Sequence, residues 1–116
     1  MDIENLRNYC LSLPGTSEGI KYGDQLCFMV MGKVFCSSNT KNLDRANFKV
    51  ADEAFEEMCE REGIIAAPYG GAKFKWVQVT DFEHLSDTEW AHYLQQSYEL
   101  VKAKLPKKVQ ESLKQG

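Results

Sequence analysis

Near the start of the chain, Ile3, Leu6, Cys10 and Leu13 recur at three- and four-residue steps. That spacing is one face of a 3.6-residue period and predicts a helix over residues 2–13, stopped by Pro14-Gly15. Residues 18–22 read as a short edge strand before the turn signal Gly23-Asp24. Two apolar runs, residues 26–31 and 34–38, flank Gly32-Lys33. A Gly-X link between such runs predicts a β-hairpin with a type II′ turn, glycine taking the positive-φ position. The polar residues 39–44 read as a loop. Residues 45–50 then alternate, with Ala46, Phe48 and Val50 on one face and Asn47 and Lys49 on the other, as a half-buried strand does.

Asp52 is placed to cap a second helix with Ala54, Phe55, Met58 and Cys59 as its apolar stripe and five glutamates as its solvated face, ending at Gly63. Residues 64–67 are apolar, and Pro68-Tyr69-Gly70-Gly71 breaks the pattern. Residues 73–80 predict the last strand, Phe74 and Trp76 on one face, Lys73 and Lys75 on the other, with both faces covered or a bulge near Trp76. Ser86-Asp87-Thr88-Glu89 is a capping box opening the longest helix, whose stripe runs through Trp90, Leu94, Ser97 or Tyr98, Val101 and Leu105. Pro106 either starts a new short helix or kinks the old one. Short links between strands imply antiparallel pairing. The order predicts a two-layer α+β domain over residues 1–116, an antiparallel sheet of about five strands packed against N-terminal, middle and C-terminal helices.

Composition narrows the function classes. The 116 residues are 43% hydrophobic and 27% charged, with no apolar run near the ~20 residues of a membrane span and no signal-peptide pattern at the start. A cytoplasmic, globular protein is expected. The net charge of −3 is uneven: residues 51–72 carry one basic against six acidic side chains, while the segments on either side are each one positive. Residues 102–116 hold five lysines and one acid, which complements a helix C-terminus or serves as a phosphate or partner contact. Cys10, Cys27, Cys36 and Cys59 lack C-x-x-C spacing and a neighbouring His, so they read as buried structural thiols, with no metal site, cofactor or disulfide expected.

Candidate chemistry is sparse. No nucleophile elbow, zinc-protease, phosphate-loop or dinucleotide motif occurs, and nothing near His84 or His92 orients either as a base, so no catalytic residue and no enzyme activity is expected. Gly70 and Gly71 either let backbone approach a ligand beside Tyr69 and Lys73, or merely punctuate the entry to a strand. Lys73-Phe74-Lys75-Trp76 interleaves basic and aromatic residues, as a nucleic-acid surface does, or else buries its aromatics and solvates its lysines.

One resemblance spans nearly the whole chain. Leu13-Pro14-Gly15-Thr16-Ser17-Glu18, Met31-Gly32-Lys33-Val34-Phe35, Phe48-Lys49-Val50, Ala67-Pro68-Tyr69 with Lys75-Trp76-Val77, and Ser97-Tyr98-Glu99-Leu100-Val101 running into Lys104-Leu105-Pro106-Lys107-Lys108 resemble, in order, the MmcQ/YjbR family. The resemblance implies a CyaY-like or secretion-chaperone-like α+β fold and DNA binding through a double wing of β-hairpins. The candidate contacts are then Lys33 of the first hairpin, Lys41 and Arg45 of the following loop, and Tyr69, Lys73, Lys75 and Trp76. This chain departs from the family pattern in having Gly70, Gly71 and Ala72 where many members carry polar residues before the tryptophan. DNA is the expected partner. A protein partner or homodimer is the alternative, the chain then being a non-enzymatic, chaperone-like interaction module, and a small-molecule site at Tyr69-Gly70-Gly71 is a third reading.

Overall fold

The computed structural model describes residues 1–68 and 70–115. Helix α1 (Ile3–Ser12) leads into a meander of strands β1 (Thr16–Lys21), β2 (Gln25–Val30), β3 (Lys33–Asn39) and β4 (Asn42–Lys49). A single 3₁₀ turn (Asp52–Ala54), helix α2 (Phe55–Glu60) and strand β5 (Ile64–Ala66) follow. The one-turn helix α3 (Gly71–Phe74) precedes β6 (Trp76–Val79), and the long α4 (Asp87–Lys102) and shorter α5 (Lys107–Gln115) close the chain. The six strands form one antiparallel sheet in the order β1-β2-β3-β4-β6-β5. The α+β class is as expected, with six strands rather than about five. The extra one is β5, whose three residues are too few to show a period in the sequence.

Helices α1, α2 and α4 all lie on one face of the sheet. The core between the layers holds Leu6 and Cys10 of α1, Phe28, Val30, Phe35, Phe48 and Val77 of the strands, and Trp90, Leu94 and Tyr98 of α4. Aromatic contacts seat α4: Phe48 stacks on Tyr93 and meets Trp90 edge-on, and Phe35 meets Tyr98 edge-on. The capping box is present, and its Glu89 also takes a bidentate contact from Arg61 at 2.6 and 3.3 Å. Arg61 and the Ser86 backbone amide together hold the Glu89 carboxyl down at about 2.

Four local expectations are corrected. The β2–β3 turn is centred on Met31-Gly32, not Gly32-Lys33, and both residues have positive φ (47° and 86°), the type I′ pattern that suits the strand twist. Residues 39–44 are not a loop: β3 and β4 continue to a tight turn at Thr40-Lys41, with Asn39 opposite Asn42. Asp52 makes no capping hydrogen bond to α2, because a 3₁₀ turn intervenes. Residues 73–80 are not one strand. Lys73 and Phe74 belong to α3, Lys75 turns the chain at φ 60°, and the strand begins at Trp76. The glycines demand this: Gly70 has φ 96°, and a Cβ on Gly71 would lie 2.7 Å from the Trp76 carbonyl oxygen. The close approach they allow is of the chain to its own sheet.

The β3–β4 ladder pairs Cys36 with Phe48 and stops there. Beyond it, the fully buried Ser97 hydroxyl of α4 donates to the Phe35 carbonyl at 2.5 Å and accepts from the Lys49 amide at 2.9 Å. A helix side chain thus occupies a rung that two strands would otherwise share. Ser97→Ala leaves both backbone groups buried without a partner. The expected loss is about 1–3 kcal/mol of unfolding free energy, read as a lower urea midpoint with an unchanged slope. An unchanged midpoint would mean that the hydroxyl holds nothing.

Candidate functional site

The face of the sheet opposite the helices is open. Its central row, set by the strand register, runs Gly19, Cys27, Ser37, Asn47, Gln78, Ile65 from β1 to β5. Three of these side chains are joined: Gln78 Nε2 donates to Asn47 Oδ1 at 3.0 Å, and Asn47 Nδ2 donates to Ser37 Oγ at 3.2 Å. This amide ladder floors a trough of about 960 Å³. One wall is the segment around Pro68, Gly70 and Phe74; the other is formed near the β1–β2 and β3–β4 turns, by Tyr22, Asp24 and Lys41. Asp24 is the one acidic side chain among the described lining residues.

A second, smaller hollow of about 380 Å³ lies beyond Trp76. It occupies the gap left where β3 and β4 part at Ser97. Lys33 and Val34 come from β3, Lys49 from β4, Phe74 and Trp76 from the far side, Val101 from the last turn of α4, and Lys104 and Leu105 from the turn after it. Trp76, Phe74 and Val34 line both hollows. Lys49 stands directly opposite Trp76 in the register, and its ammonium donates to the Phe74 carbonyl at 2.5 Å. Burial, then the charge of Lys104, hold that ammonium below the ordinary lysine value; Asp52 opposes the shift and Lys75 adds to it. The four ion pairs among the described residues involve Met1, Arg7, Arg61 and Lys102, and none involves a cation of the open face.

The seven residues singled out in the sequence do not come together in one place. Lys41, Arg45 and Trp76 line the trough, and Lys33 joins Trp76 in the smaller hollow. Lys33 begins β3 and Lys41 lies in the turn beyond its other end, with the roughly 20 Å of the strand between them, so the two hairpin tips do not form adjacent wings. Lys73 is exposed on α3 with its ammonium over the Phe74 ring. Lys75 is directed at the Phe55 ring of α2, 5.0 Å from its centroid, and lines neither hollow. Tyr69 lies outside the described residues. Lys104 entered the sequence reading only within the basic tail and Phe74 only within the interleaved basic and aromatic run, while Lys49, Ser37, Asn47 and Gln78 were not singled out. The alternation of residues 45–50 already put Asn47 and Lys49 on one face, but no local signal shows that this face stays uncovered.

Among the described residues no group of three His, Cys, Asp or Glu could hold a metal ion, and no helix is long and apolar enough to cross a membrane. The four cysteines are unpaired, and Cys36 sits fully buried against Cys10, whose hydrogen bond, with burial, pushes its thiol well up.

Lys49 should titrate below an ordinary lysine when followed by NMR at its ε-methylene. Lys104→Met removes a neighbouring positive charge and so should move that midpoint upward. No movement would mean that the two ammonium groups do not share the hollow.

Comparison with known proteins places this geometry. The YjbR family model matches residues 11–100. The crystal structure of Deinococcus radiodurans protein DR2400, a DUF419 domain, superimposes with a TM-score of 0.84 at 24% identity, covering 97% of this chain and 88% of that one. A Pseudomonas syringae protein of known crystal structure superimposes with a TM-score of 0.69 at 19% identity, covering 87% of this chain and 99% of that one. A search of curated proteins finds no match. With most of its length matched from the end of α1 through α4, the chain belongs to the YjbR family.

Proposed function

We propose that the protein is a non-enzymatic nucleic-acid-binding protein, with DNA as the ligand class, and that it binds through the open face of the sheet rather than through hairpin wings. The observation that carries this reading is a line of cations with no ion-pair partner among the described residues: Lys33, Lys49 and Lys104 beside the half-buried Trp76 and the 55%-exposed Phe74, with Arg45 and Lys41 farther along the same trough. Cations supply the phosphate contacts and an aromatic supplies a stacking surface. The acidic excess lies elsewhere: Glu56, Glu57 and Glu60 belong to α2, in the helix layer.

A second reading has its own observation. Strand β1 is a free edge of the sheet, and Ile20 and Tyr22 at its end are 57% and 86% exposed. A free apolar edge suits a partner strand from another protein or a second copy.

Fluorescence anisotropy of labelled DNA, titrated at low and physiological salt, separates the two. Binding should weaken steeply with salt. Lys49→Glu/Lys104→Glu should abolish it, and Trp76→Ala should weaken it about five- to a hundredfold, the range of one lost base stack. Lys107→Glu/Lys108→Glu, on α5 outside both hollows, should change it little. No binding at low salt, where phosphate contacts are strongest, would overturn the proposal and leave the β1 edge as the leading surface.

A further inference from the structure

The floor of the trough has a chemistry that phosphate binding does not need. Gln78 is 8% exposed and lines the trough, where its Oε1 accepts no hydrogen bond from the described residues and is open to a ligand. Its amide, the Asn47 amide and the Ser37 hydroxyl are held in one line by each other. Each retains hydrogen-bonding capacity beyond the ladder: the Gln78 carbonyl, the second hydrogens of both amides, and the hydroxyl hydrogen. Amides that offer a donor and an acceptor side by side match the edges of nucleobases. Beside them stands the Trp76 ring, two residues from Gln78 on the same face of β6, about 7 Å along the strand.

We propose that the trough takes an unpaired nucleobase, its flat face toward Trp76, its hydrogen-bonding edge on Gln78 and Asn47, and its flanking phosphates on Arg45 at one side and on Lys33, Lys49 and Lys104 at the other. This rests on the nucleic-acid reading above and narrows its ligand to single strands. The shape favours that narrowing. Duplex bases present their edges only inside grooves, so they are read by helices or ribbons that protrude. Here the amides lie at the bottom of a depression walled by α3 and the turns, where a duplex groove floor cannot reach and a single unstacked base can. The trough volume of about 960 Å³ is near the upper end of the ~300–1,000 Å³ typical of enclosed small-ligand sites, and its aromatic and Cys27 surfaces supply the apolar part. Asp24 on the rim disfavours a phosphate at that point, which leaves the Arg45 side for the backbone.

The test compares labelled dodecamers of dA, dC and dT with a mixed-sequence duplex of equal length, at low salt. Single strands should bind about tenfold or more tightly than the duplex, and the three homopolymers should differ among themselves. Gln78→Met keeps the volume and removes the amide, so it should weaken the best-bound homopolymer most and thereby shrink the differences between homopolymers. Ser37→Ala cuts the ladder at its other end, on a different strand, and should shrink them too, which keeps the test decisive if Gln78→Met folds poorly. Thermal melting checks that each variant is folded. A duplex bound as tightly as the single strands, with binding still abolished by Lys49→Glu/Lys104→Glu, would overturn this inference and leave the nucleic-acid reading standing. Homopolymer differences that persist in both folded variants would also overturn it. No binding of any probe would remove both.

Discussion

One buried hydroxyl decides the shape of the open face. Ser97 stands in the apolar stripe of α4 and takes the place of a strand partner for Phe35 and Lys49. Unpaired buried backbone groups cost enough that a sheet rarely leaves them open. Ser97 satisfies both while letting β3 and β4 separate. The separation admits Val101 of α4 and Leu105 just beyond it, and exposes Lys49 to the same hollow as Lys33 and Lys104. Beside it, Tyr98 extends the same anchorage, its hydroxyl donating to the Pro14 carbonyl at 2.6 Å while its ring meets Phe35. The run Ser97-Tyr98 thus ties the last long helix to the middle of the sheet and to the link between α1 and β1.

Sidedness follows from the layering. All the large helices cover one face, so apolar alternation is spent there and the other face is left to polar side chains. The net charge of −3 conceals this, because the acids of α2 sit in the helix layer while the open face gathers cations. A whole-chain charge is a statement about solubility and long-range steering. Local recognition depends on which layer each charge occupies.

Most of the framework was legible in the sequence. The periodicity of α1 and α4, the capping box, the alternation of β4 and the Gly-centred hairpin all report local physics, and each lies close to where it was expected. The failures were also local. Lys73-Phe74-Lys75-Trp76 alternates like a strand, but Gly70 and Gly71 fold its first half into a helical turn against β6, a tertiary contact that no period reveals. Three residues of β5 are recognisable only from their pairing with β6. The site was the least legible part. Ser37, Asn47 and Gln78 come from three strands and meet only through register, and Lys49 and Lys104 are 55 residues apart in the chain and joined by one serine's placement.

The central claim is that the open face of the sheet, from the amide ladder to the lysine hollow, is where nucleic acid binds. Its most direct test is a ¹⁵N–¹H correlation spectrum of the labelled protein titrated with a short single-stranded DNA. The expected result is that the backbone amides of β3, β4 and β6 and the Trp76 indole N–H shift together and saturably, while α1, α2 and the Trp90 indole, bonded to the Phe82 carbonyl in the core, stay in place. Shifts confined to the helix layer or to the β1 edge, or no shifts at all, would contradict the account.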